Sequence, residues 1–284
     1  MGRVGRSVWC RAAGALALLL VGATAAKAQV APPAPQAPVQ ELDESCPGLI
    51  ARRNLTMPAA LAQGEVGLTF VGHSTFLIET PGGIRAATDY NDYVRPSLPL
   101  DAITMNRAHS THYTDNPDPR IGQVLRGWNP AGGPARHDVT VGDLRVRSVS
   151  TNIRRWGYGT GEGGTDFDGN SIFVFEAGGL CIAHLGHLHH PLEPSHLRKV
   201  GRVDVVLVPV DGGYTLDVDG MMEVLAGLNA KLMIPMHYFG AYTLERFLDK
   251  ARPRYDVARR DDPRLVLSKA MLPAKAQVLV LPGR

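Results

Sequence analysis

The segment SIFVFEAGGLCIAHLGHLHH, residues 171–190, is informative about both the fold and the chemistry of this chain. Two apolar, β-prone runs, at 171–176 and 180–184, are typical of buried strands. Four of the ten histidines of the chain fall within 184–190, at and directly after the second run. Because loops at the carboxyl ends of strands form the ligand crevice of α/β sheets, this stretch predicts a buried strand that leads into a functional loop.

Similar runs extend in both directions from this stretch. Upstream lie GLTFVG, STFLIET and IRAATDY, the last two separated by the turn sequence Pro81-Gly82-Gly83. Further strands are expected at 101–105, 138–149, 203–210, 231–235, 264–268 and 276–281, and helices at about 118–126, 193–200, 217–228 and 242–252. The glycine-rich stretch 157–170 is expected to be a loop or a long turn. Strands followed by a β-α-β-α series predict an α/β protein whose sheets are covered by helices.

Two more groups of histidines also follow apolar runs. His109 and His112 come after residues 102–105, and His237 comes after residues 231–236. Three such loops that converge would surround one centre with neutral imidazoles, the ligands of Zn²⁺ and similar divalent transition metals. Each group alone has an ordinary explanation: an exposed H-x-x-H pair, a solvated histidine-rich loop or a hydrogen-bonded core histidine. Their conjunction favours a metal or active-site cluster.

Two residues near the first runs are candidates for orienting the ligand imidazoles. His73 lies in VGHST and Asp89 ends IRAATDY. A carboxylate or a second imidazole that holds the other ring nitrogen of a ligand fixes its tautomer and direction. Turn chemistry is the alternative explanation for both residues.

Residues 1–28 are typical of an export signal. A basic start with three arginines precedes an apolar run at 12–23, and Ala26-Lys27-Ala28 supplies a small-x-small cleavage site. The apolar run is shorter than the roughly 20 residues that span a bilayer, so no stable membrane anchor is expected. An uncleaved anchor is the alternative. The predicted location is periplasmic or secreted.

Loss of this segment changes the charge of the chain. The full chain has a formal charge of +3, and residues 1–28 carry four basic residues and no acidic one, which leaves −1. Nucleic acid is therefore not an expected partner. Residues 29–64 are predicted to be a Pro-rich tether and connector, and 65–284 one domain. Cys46 and Cys181 remain; a disulfide between them and a buried, inert Cys181 are both possible, and the apolar run around Cys181 favours the second.

In chain order, the segments FVGHSTFLIET, TDY, an H-x-x-H loop, IFVFEAGGLCIAHLG, VDVVLVPVDGGYTLD and LMIPMHY resemble the metallo-β-lactamase superfamily. The similarity is to the branch with ascorbate-phosphate lactonase-like and phospholipase D-like metal hydrolases. It covers roughly residues 65–240. This resemblance implies an α/β fold, a four-layer αββα sandwich of two mixed sheets with the metal site along one edge.

The first metal-binding loop departs from the family pattern. Family members carry H-x-H-x-D-H where this chain has RAHSTH, residues 107–112. His109 and His112 match the second and last histidines. Arg107 replaces the first histidine and Thr111 replaces the aspartate. Arg107 would repel a second metal ion there but would suit an anionic substrate group.

The later ligand positions match in part. Asn152 stands near the next family histidine, His187 replaces the aspartate that usually follows H-L-G, and His237 matches the final ligand. The resemblance thus implies that His109, His112, His187 and His237 bind metal. His190 is an alternative fourth ligand. Around them, His73, Asp89, Asn152, His184 and His190 are expected to orient ligands or contact substrate.

These features together predict an exported metal-dependent hydrolase with one Zn²⁺ or another divalent transition metal. A metal-bound hydroxide would cleave an ester, lactone or phosphodiester of a small-molecule substrate, with an anionic substrate suiting Arg107. Arg107 and Tyr238 are the candidate catalytic residues, holding developing charge. Two alternatives remain open: a catalytically inactive relative, and a periplasmic metal-binding protein that uses HLGHLHH as a buffer.

Overall fold

The apolar runs pair into two β-sheets. The structure, a computed structural model, describes residues 60–155 and 163–283. In chain order the strands are β1 (Val66–Gly72), β2 (Thr75–Glu79), β3 (Arg85–Ala87), β4 (Ala102–Met105), β5 (Gln123–Arg126), β6 (Asp138–Val141), β7 (Leu144–Arg154), β8 (Thr165–Ala177), β9 (Leu180–His184), β10 (Val205–Pro209), β11 (Leu232–Met236), β12 (Asp256–Arg259), β13 (Arg264–Leu267) and β14 (Gln277–Val280). The helices are α1 (Pro194–Val200), α2 (Val218–Leu228) and α3 (Ala241–Ala251).

Both sheets are mixed. The six-stranded sheet has the order β13-β1-β2-β3-β4-β5, and the eight-stranded sheet has the order β12-β14-β11-β10-β9-β8-β7-β6. In the second sheet, β9, β10, β11 and β14 run parallel. In the first, β3 and β4 run parallel. The carboxyl ends of parallel strands meet at one edge, so the loops after them share one crevice.

The central strands of the eight-stranded sheet, β9, β10 and β11, are buried along their whole length, on both faces of the sheet. In β8, Phe173 and Phe175 point into the core between the sheets, whereas Ile172 and Val174 point to the helical side. The period-2 alternation of side chains thus fills two cores from one strand. Helices α2 and α3 cover the outer face with apolar side chains that include Met221 and Phe247. The predicted sandwich of two mixed sheets is confirmed.

The outer face of the six-stranded sheet has a different cover. Leu77, Ile103 and Met105 on this face pack against Tyr90 and Leu100, which lie in the segment between β3 and β4. Tyr113 and Trp128 contribute from the segments that flank β5. In the part of the chain that the structure describes, the layer on this side therefore consists of loops rather than of helices.

Two local predictions are wrong. Residues 118–126 are not a helix; they form a turn followed by β5, which pairs parallel with β4. Pro119 and Gly122 disfavour a helix, and strand pairing lets Leu125 enter the core between the sheets. The glycine-rich stretch is not a loop throughout, since residues 165–170 begin β8.

Several expectations lie outside the described residues. These are the signal at 1–28, nearly all of the tether and connector at 29–64, and Cys46. Cys181 is buried, and its Sγ lies 3.1 Å from Arg202 Nη2. Among the described residues, no helix has the length and the apolar character needed to cross a lipid bilayer.

Candidate metal centre

The site histidines follow strand ends in both sheets. His73 comes directly after β1 and His237 directly after β11. Both have left-handed backbones, with φ of 52° and 54°, a conformation that turns the chain sharply away from the strand. The His237 amide donates a hydrogen bond to the His73 carbonyl at 2.7 Å, which ties the two sheets together at this edge. Such strain in non-glycine residues is concentrated at functional sites.

Five imidazoles surround one centre. Nitrogen atoms of His73, His109, His112 and His237 all lie within 4.8 Å of one another. His187 lies beside them, with ring centroids 4.8 Å from His109, 4.9 Å from His112 and 4.7 Å from His237. The four ligands expected from the sequence thus come together. His73, expected as an orienting residue, lies among them.

Burial divides these rings into two sets. His112, His187 and His237 are buried, at 0%, 2% and 0% exposure. His73 and His109 are partly exposed. The centre is therefore closed on one side and open on the side of His73 and His109.

Asp89 holds His112. The His112 Nδ1–H donates to Asp89 Oδ2 at 2.5 Å, and Asn106 Nδ2 donates to Asp89 Oδ1 at 3.1 Å. Asp89 is fully buried with a left-handed backbone, φ 42°. Burial raises the pKa of the Asp89 carboxyl. Asp89 therefore has the position of a residue that orients a ligand imidazole, behind the ring of His112.

Asp211 holds His237 in the same way, and the sequence interpretation missed it. The His237 Nδ1–H donates to Asp211 Oδ1 at 3.0 Å. Gly213 N and Thr215 Oγ1 also donate to this carboxylate, at 2.9 and 2.5 Å. Burial opposes ionisation, but the hydrogen bonds from His237 and Thr215 hold the pKa of Asp211 below its ordinary range. An Asp-Gly-Gly turn directly after the apolar run 205–210 is the signal that could have found it.

The free nitrogens of these two histidines face each other. His112 Nε2 and His237 Nε2 lie 3.2 Å apart. With each Nδ1 proton held by a carboxylate, both Nε2 atoms direct lone pairs into the same space, and only a cation or one shared proton reconciles them. Two nitrogens bound to one tetrahedral ion lie about 3.3 Å apart. The donor set therefore fits a transition-metal ion.

A second facing pair lies next to the first. His109 Nε2 and His187 Nε2 are 3.0 Å apart. The other nitrogen of His187, Nδ1, contacts His189 Nε2 at 2.6 Å. The His187 amide donates to Asn170 Oδ1 at 2.8 Å, which fixes the loop after β9.

Thr111, which stands where the family has aspartate, joins the two partly exposed imidazoles. Its Oγ1 lies 2.8 Å from His109 Nδ1 and 3.0 Å from His73 Nε2. If the His109 Nδ1–H donates to Thr111 and Thr111 donates to His73, Nε2 of His109 keeps its lone pair. Thr111 thus directs His109 Nε2 toward the centre.

Four of the five imidazoles have a lowered pKa, which favours their neutral form. Burial lowers the pKa of His112 and His187 well below the ordinary value, and neighbouring histidines lower it further. Burial also lowers the pKa of His109, and it lowers that of His73 to about 4. Neutral imidazole is the form that binds metal.

Glycine is required in the loop that carries His187. Gly186 has a left-handed backbone, φ 60°, and a Cβ there would lie 2.4 Å from both Asn106 Nδ2 and Asn170 Oδ1. Those two amides hold Asp89 and His187. The glycine of H-L-G therefore lets two supporting side chains meet behind the centre.

Three other predicted residues lie around the centre without joining it. His184 is fully buried; its Nε2–H donates to the Ser74 carbonyl at 2.8 Å and its Nδ1 accepts from Gly186 N. Asn152 accepts from the Asp168 amide at 3.0 Å, at an irregularity in the β7–β8 ladder. His190 is partly exposed, and its ring centroid lies 6.4 Å from that of His189.

The two predicted catalytic residues have partners elsewhere. Arg107 Nη2 pairs with Asp166 Oδ2 at 3.6 Å, and Arg155 pairs with the same carboxylate at 3.4 Å. The Tyr238 hydroxyl donates to the Leu281 carbonyl at 3.4 Å, and its ring packs against the core between the sheets. These placements do not bring either residue into the imidazole centre.

Parts of the chain are similar to known proteins. A family model described as a beta-lactamase superfamily domain matches residues 67–237. A UPF0173 metal-dependent hydrolase of Carboxydothermus hydrogenoformans is 26% identical over 190 residues, which cover 60% of this chain and 84% of the relative. Another, from Anaeromyxobacter sp. (strain K), is 26% identical over 209 residues, covering 62% and 76%. A crystal structure from Thermotoga maritima, described as a metallo-β-lactamase superfamily protein, has a TM-score of 0.57 and 27% identity, covering 77% of this chain and 100% of that chain.

Proposed function

This chain belongs to the metallo-β-lactamase superfamily, and from that premise we propose that it is an exported hydrolase that uses one metal ion to cleave a carboxylic ester or lactone. It is a metal-dependent hydrolase, as its relatives are named. The export, the single ion and the substrate class are the parts of the proposal that go further. Each rests on its own observation.

The observation that carries the proposal is the facing of His112 Nε2 and His237 Nε2 at 3.2 Å. Each ring is held from behind by a buried carboxylate, Asp89 or Asp211. A carboxylate behind an imidazole orients it and makes it a more basic ligand. Ligand nitrogens that are preorganised in this way favour the binding of a metal ion over a simple hydrogen bond between the two rings.

Three buried imidazoles are the proposed ligands. The ring centroids of His112, His187 and His237 are 4.7 to 5.1 Å apart, so the three rings lie at nearly equal distances from one another. Three protein ligands leave a fourth tetrahedral position for water or substrate. Imidazole donors suit zinc, copper, iron and nickel, and zinc is the choice for hydrolysis without redox chemistry. When bound, such an ion supplies a Lewis acid that polarises the scissile bond and lowers the pKa of water at the site.

His109 is the proposed base. It lies on the open side, and its Nε2 is aimed by the hydrogen bond between Nδ1 and Thr111. Because its pKa is lowered by burial, it is neutral at pH 7 and accepts at Nε2 the proton of the attacking water. In this assignment His109, expected from the sequence to be a ligand, acts on water instead. His73 Nε2 accepts a hydrogen bond from the Thr111 hydroxyl and so helps to position His109 through Thr111.

The hydrogen bonds of the two carboxylates at the site support a single metal ion. Asp89 and Asp211 both use an oxygen to hold Nδ1 of a histidine, so neither is free to bridge two ions. Within residues 60–155 and 163–283, the histidine centre is the one group with the donors for a metal ion. The family resemblance also implies that Arg107 replaces the first histidine of H-x-H-x-D-H.

The paired state of Arg107 favours an uncharged reacting group. Its guanidinium faces Asp166, which also pairs with Arg155. Because the Asp166 carboxylate offsets the charge of Arg107, this arginine attracts an anionic phosphodiester less than an unpaired arginine would. We therefore place carboxylic esters and lactones before phosphodiesters. The export signal at residues 1–28 supports a periplasmic or secreted location.

The test combines metal analysis with a substrate panel. We expect one transition-metal ion per chain, and turnover of esters or lactones faster than of a phosphodiester. The double variant His112→Ala, His237→Ala should lose both the ion and the activity, whereas His196→Ala, on α1, should keep both. Retention of the ion by the double variant would refute the site. An ion without turnover of any substrate would favour an inactive relative, and several weakly held ions would favour a metal buffer.

A further inference from the structure

Two exposed aromatic rings border the imidazole centre. Phe239 is 60% exposed and Tyr214 is 59% exposed. The ring centroid of Phe239 lies 5.4 Å from that of His237 and 5.9 Å from that of His73. Tyr214 meets Phe239 edge to face, with centroids 5.5 Å apart. These two residues, which we name the aromatic shelf, form a continuous surface that begins at the candidate metal centre.

The shelf is tied to the residues that build the centre. The Tyr214 amide donates to Asp211 Oδ2 at 2.6 Å, and this carboxylate also holds His237. Phe239 follows His237 by two residues. Both rings are therefore carried by backbone whose position is set by the His237–Asp211 pair, and a group lying on the shelf is held at a defined place relative to the imidazoles.

The exposure of two neighbouring aromatic rings beside the imidazole centre indicates a ligand-binding surface. Single exposed apolar side chains are ordinary, but neighbouring ones beside a functional centre are typical of binding sites. The shelf is the size of one substrate group rather than of a protein interface, which requires on the order of 20 residues a side. The rings of the centre nearest to the shelf, His73 and His237, lie against Phe239, so the exposed surface of Phe239 and Tyr214 suits an apolar group.

We infer that the aromatic shelf binds an apolar alkyl or aryl group of the substrate, next to the bond that is cleaved. The inference rests on the proposed hydrolase function and narrows its substrate class to esters or lactones with such a group. The apolar group leaves water when it covers Phe239 and Tyr214, and this burial stabilises the bound substrate. The acyl part and the alcohol part of an ester could each supply the group.

The first experiment compares methyl acetate, methyl octanoate and octyl acetate with the metal-loaded protein. We expect kcat/KM for at least one octyl-containing ester to exceed that for methyl acetate, and the better one identifies the acyl or the alcohol part. Phe239→Ala should reduce that value by about tenfold, the loss expected for the apolar contact of one phenyl ring. The ratio of this value to the value for methyl acetate should therefore fall, and Phe239→Leu should restore most of the loss.

Met271→Ala is the matched control, because Met271 is also an exposed apolar residue, at 55% exposure. It lies near Lys269, which contacts Asp204 just before β10. Asp211 follows the other end of β10. Met271→Ala should change none of the three values. Equal loss for all three esters in Phe239→Ala, or loss for none, would overturn the inference.

A binding measurement separates the shelf from the hydrolase function. Calorimetric titration of the metal-loaded protein with acetate and octanoate compares two ligands that share a carboxylate. We expect octanoate to bind more tightly than acetate, and Phe239→Ala to remove that difference. If no ester is cleaved but this result is obtained, the shelf stands and the hydrolase function fails. Equal binding of octanoate by wild type and Phe239→Ala would overturn the shelf whatever the activity.

Discussion

His112 Nε2 and His237 Nε2 lie 3.2 Å apart although 125 residues separate them in the chain. One follows a strand of the six-stranded sheet and the other follows a strand of the eight-stranded sheet. The centre is therefore built across the two sheets, and its geometry depends on how they pack. A carboxylate behind each ring, Asp89 or Asp211, fixes which nitrogen faces the centre.

Asp211→Asn should weaken metal binding by about 10- to 100-fold, because the amide no longer gives His237 a charged acceptor at Nδ1. Competition with a chromophoric chelator measures the change. Asp138→Asn, a change at an exposed surface carboxylate, is the control and should leave the affinity unaltered. Unchanged affinity in Asp211→Asn would show that His237 is not a ligand.

His109→Gln should keep the metal ion and lose activity by about 10²- to 10⁴-fold, the usual contribution of a general base. The physical reason is that His109 is partly exposed and aimed by Thr111, whereas the proposed ligands are buried. Metal content and kcat are measured on the same preparation. Loss of the ion together with the activity would return His109 to the set of ligands.

Removal of the metal should lower the melting temperature. An ion that binds only the folded state stabilises it by about 4 kcal/mol at a free concentration of 1,000 Kd. For a domain of this size, each kcal/mol corresponds to roughly 2–4 °C. Scanning calorimetry with and without a chelator measures the shift, and no shift in melting temperature would contradict a folded-state metal site.

The metal-free protein should lose stability as the pH falls from about 6.5 toward 4. Burial lowers the pKa of His184, and it lowers those of His73 and His189 to about 4. In this window the unfolded chain binds protons that the folded chain does not, so acid favours unfolding. Well above pH 6.5 these histidines are neutral in both states and contribute no pH dependence. Urea midpoints at a series of pH values measure the slope, and a flat profile between pH 6.5 and 4.5 would contradict the burial of these rings.

Gly186→Ala should destabilise the protein by roughly 2–4 kcal/mol, because the new Cβ meets two buried amides at a left-handed backbone position. Gly240→Ala is the control: a Cβ there has open space, and its backbone is extended. Denaturant unfolding compares the two variants. Equal stability of both would mean that the loop before His187 rearranges freely.

Much of the fold could be predicted from local pattern. Strands such as β8 and β10 are buried on both faces, so their sequences are continuous apolar runs that stand out from the turns around them. The helix predicted at 118–126 was wrong because pairing with β4 decides the structure of this short apolar run. The local sequence of residues 118–126 does not show that the edge of β4 is available for pairing.

The candidate site was predictable in its residue types and less so in its roles. The histidines after strand ends were found because strand ends are visible in the sequence. Asp211 was missed because its importance lies in a hydrogen bond to His237, a residue of the next strand loop. The roles expected for Arg107 and Tyr238 depended on side-chain direction, which partners such as Asp166 and Leu281 decide.

That apolar strands end in histidine-bearing loops can be read from the sequence, because hydrophobic periodicity and residue identity are local properties. The packing of the two sheets is needed to know which imidazoles share one centre, which carboxylates lie behind them and which side is open. Those relationships arise when two sheets pack and bring distant loops to one edge, where distances of about 3 Å depend on every contact beneath them.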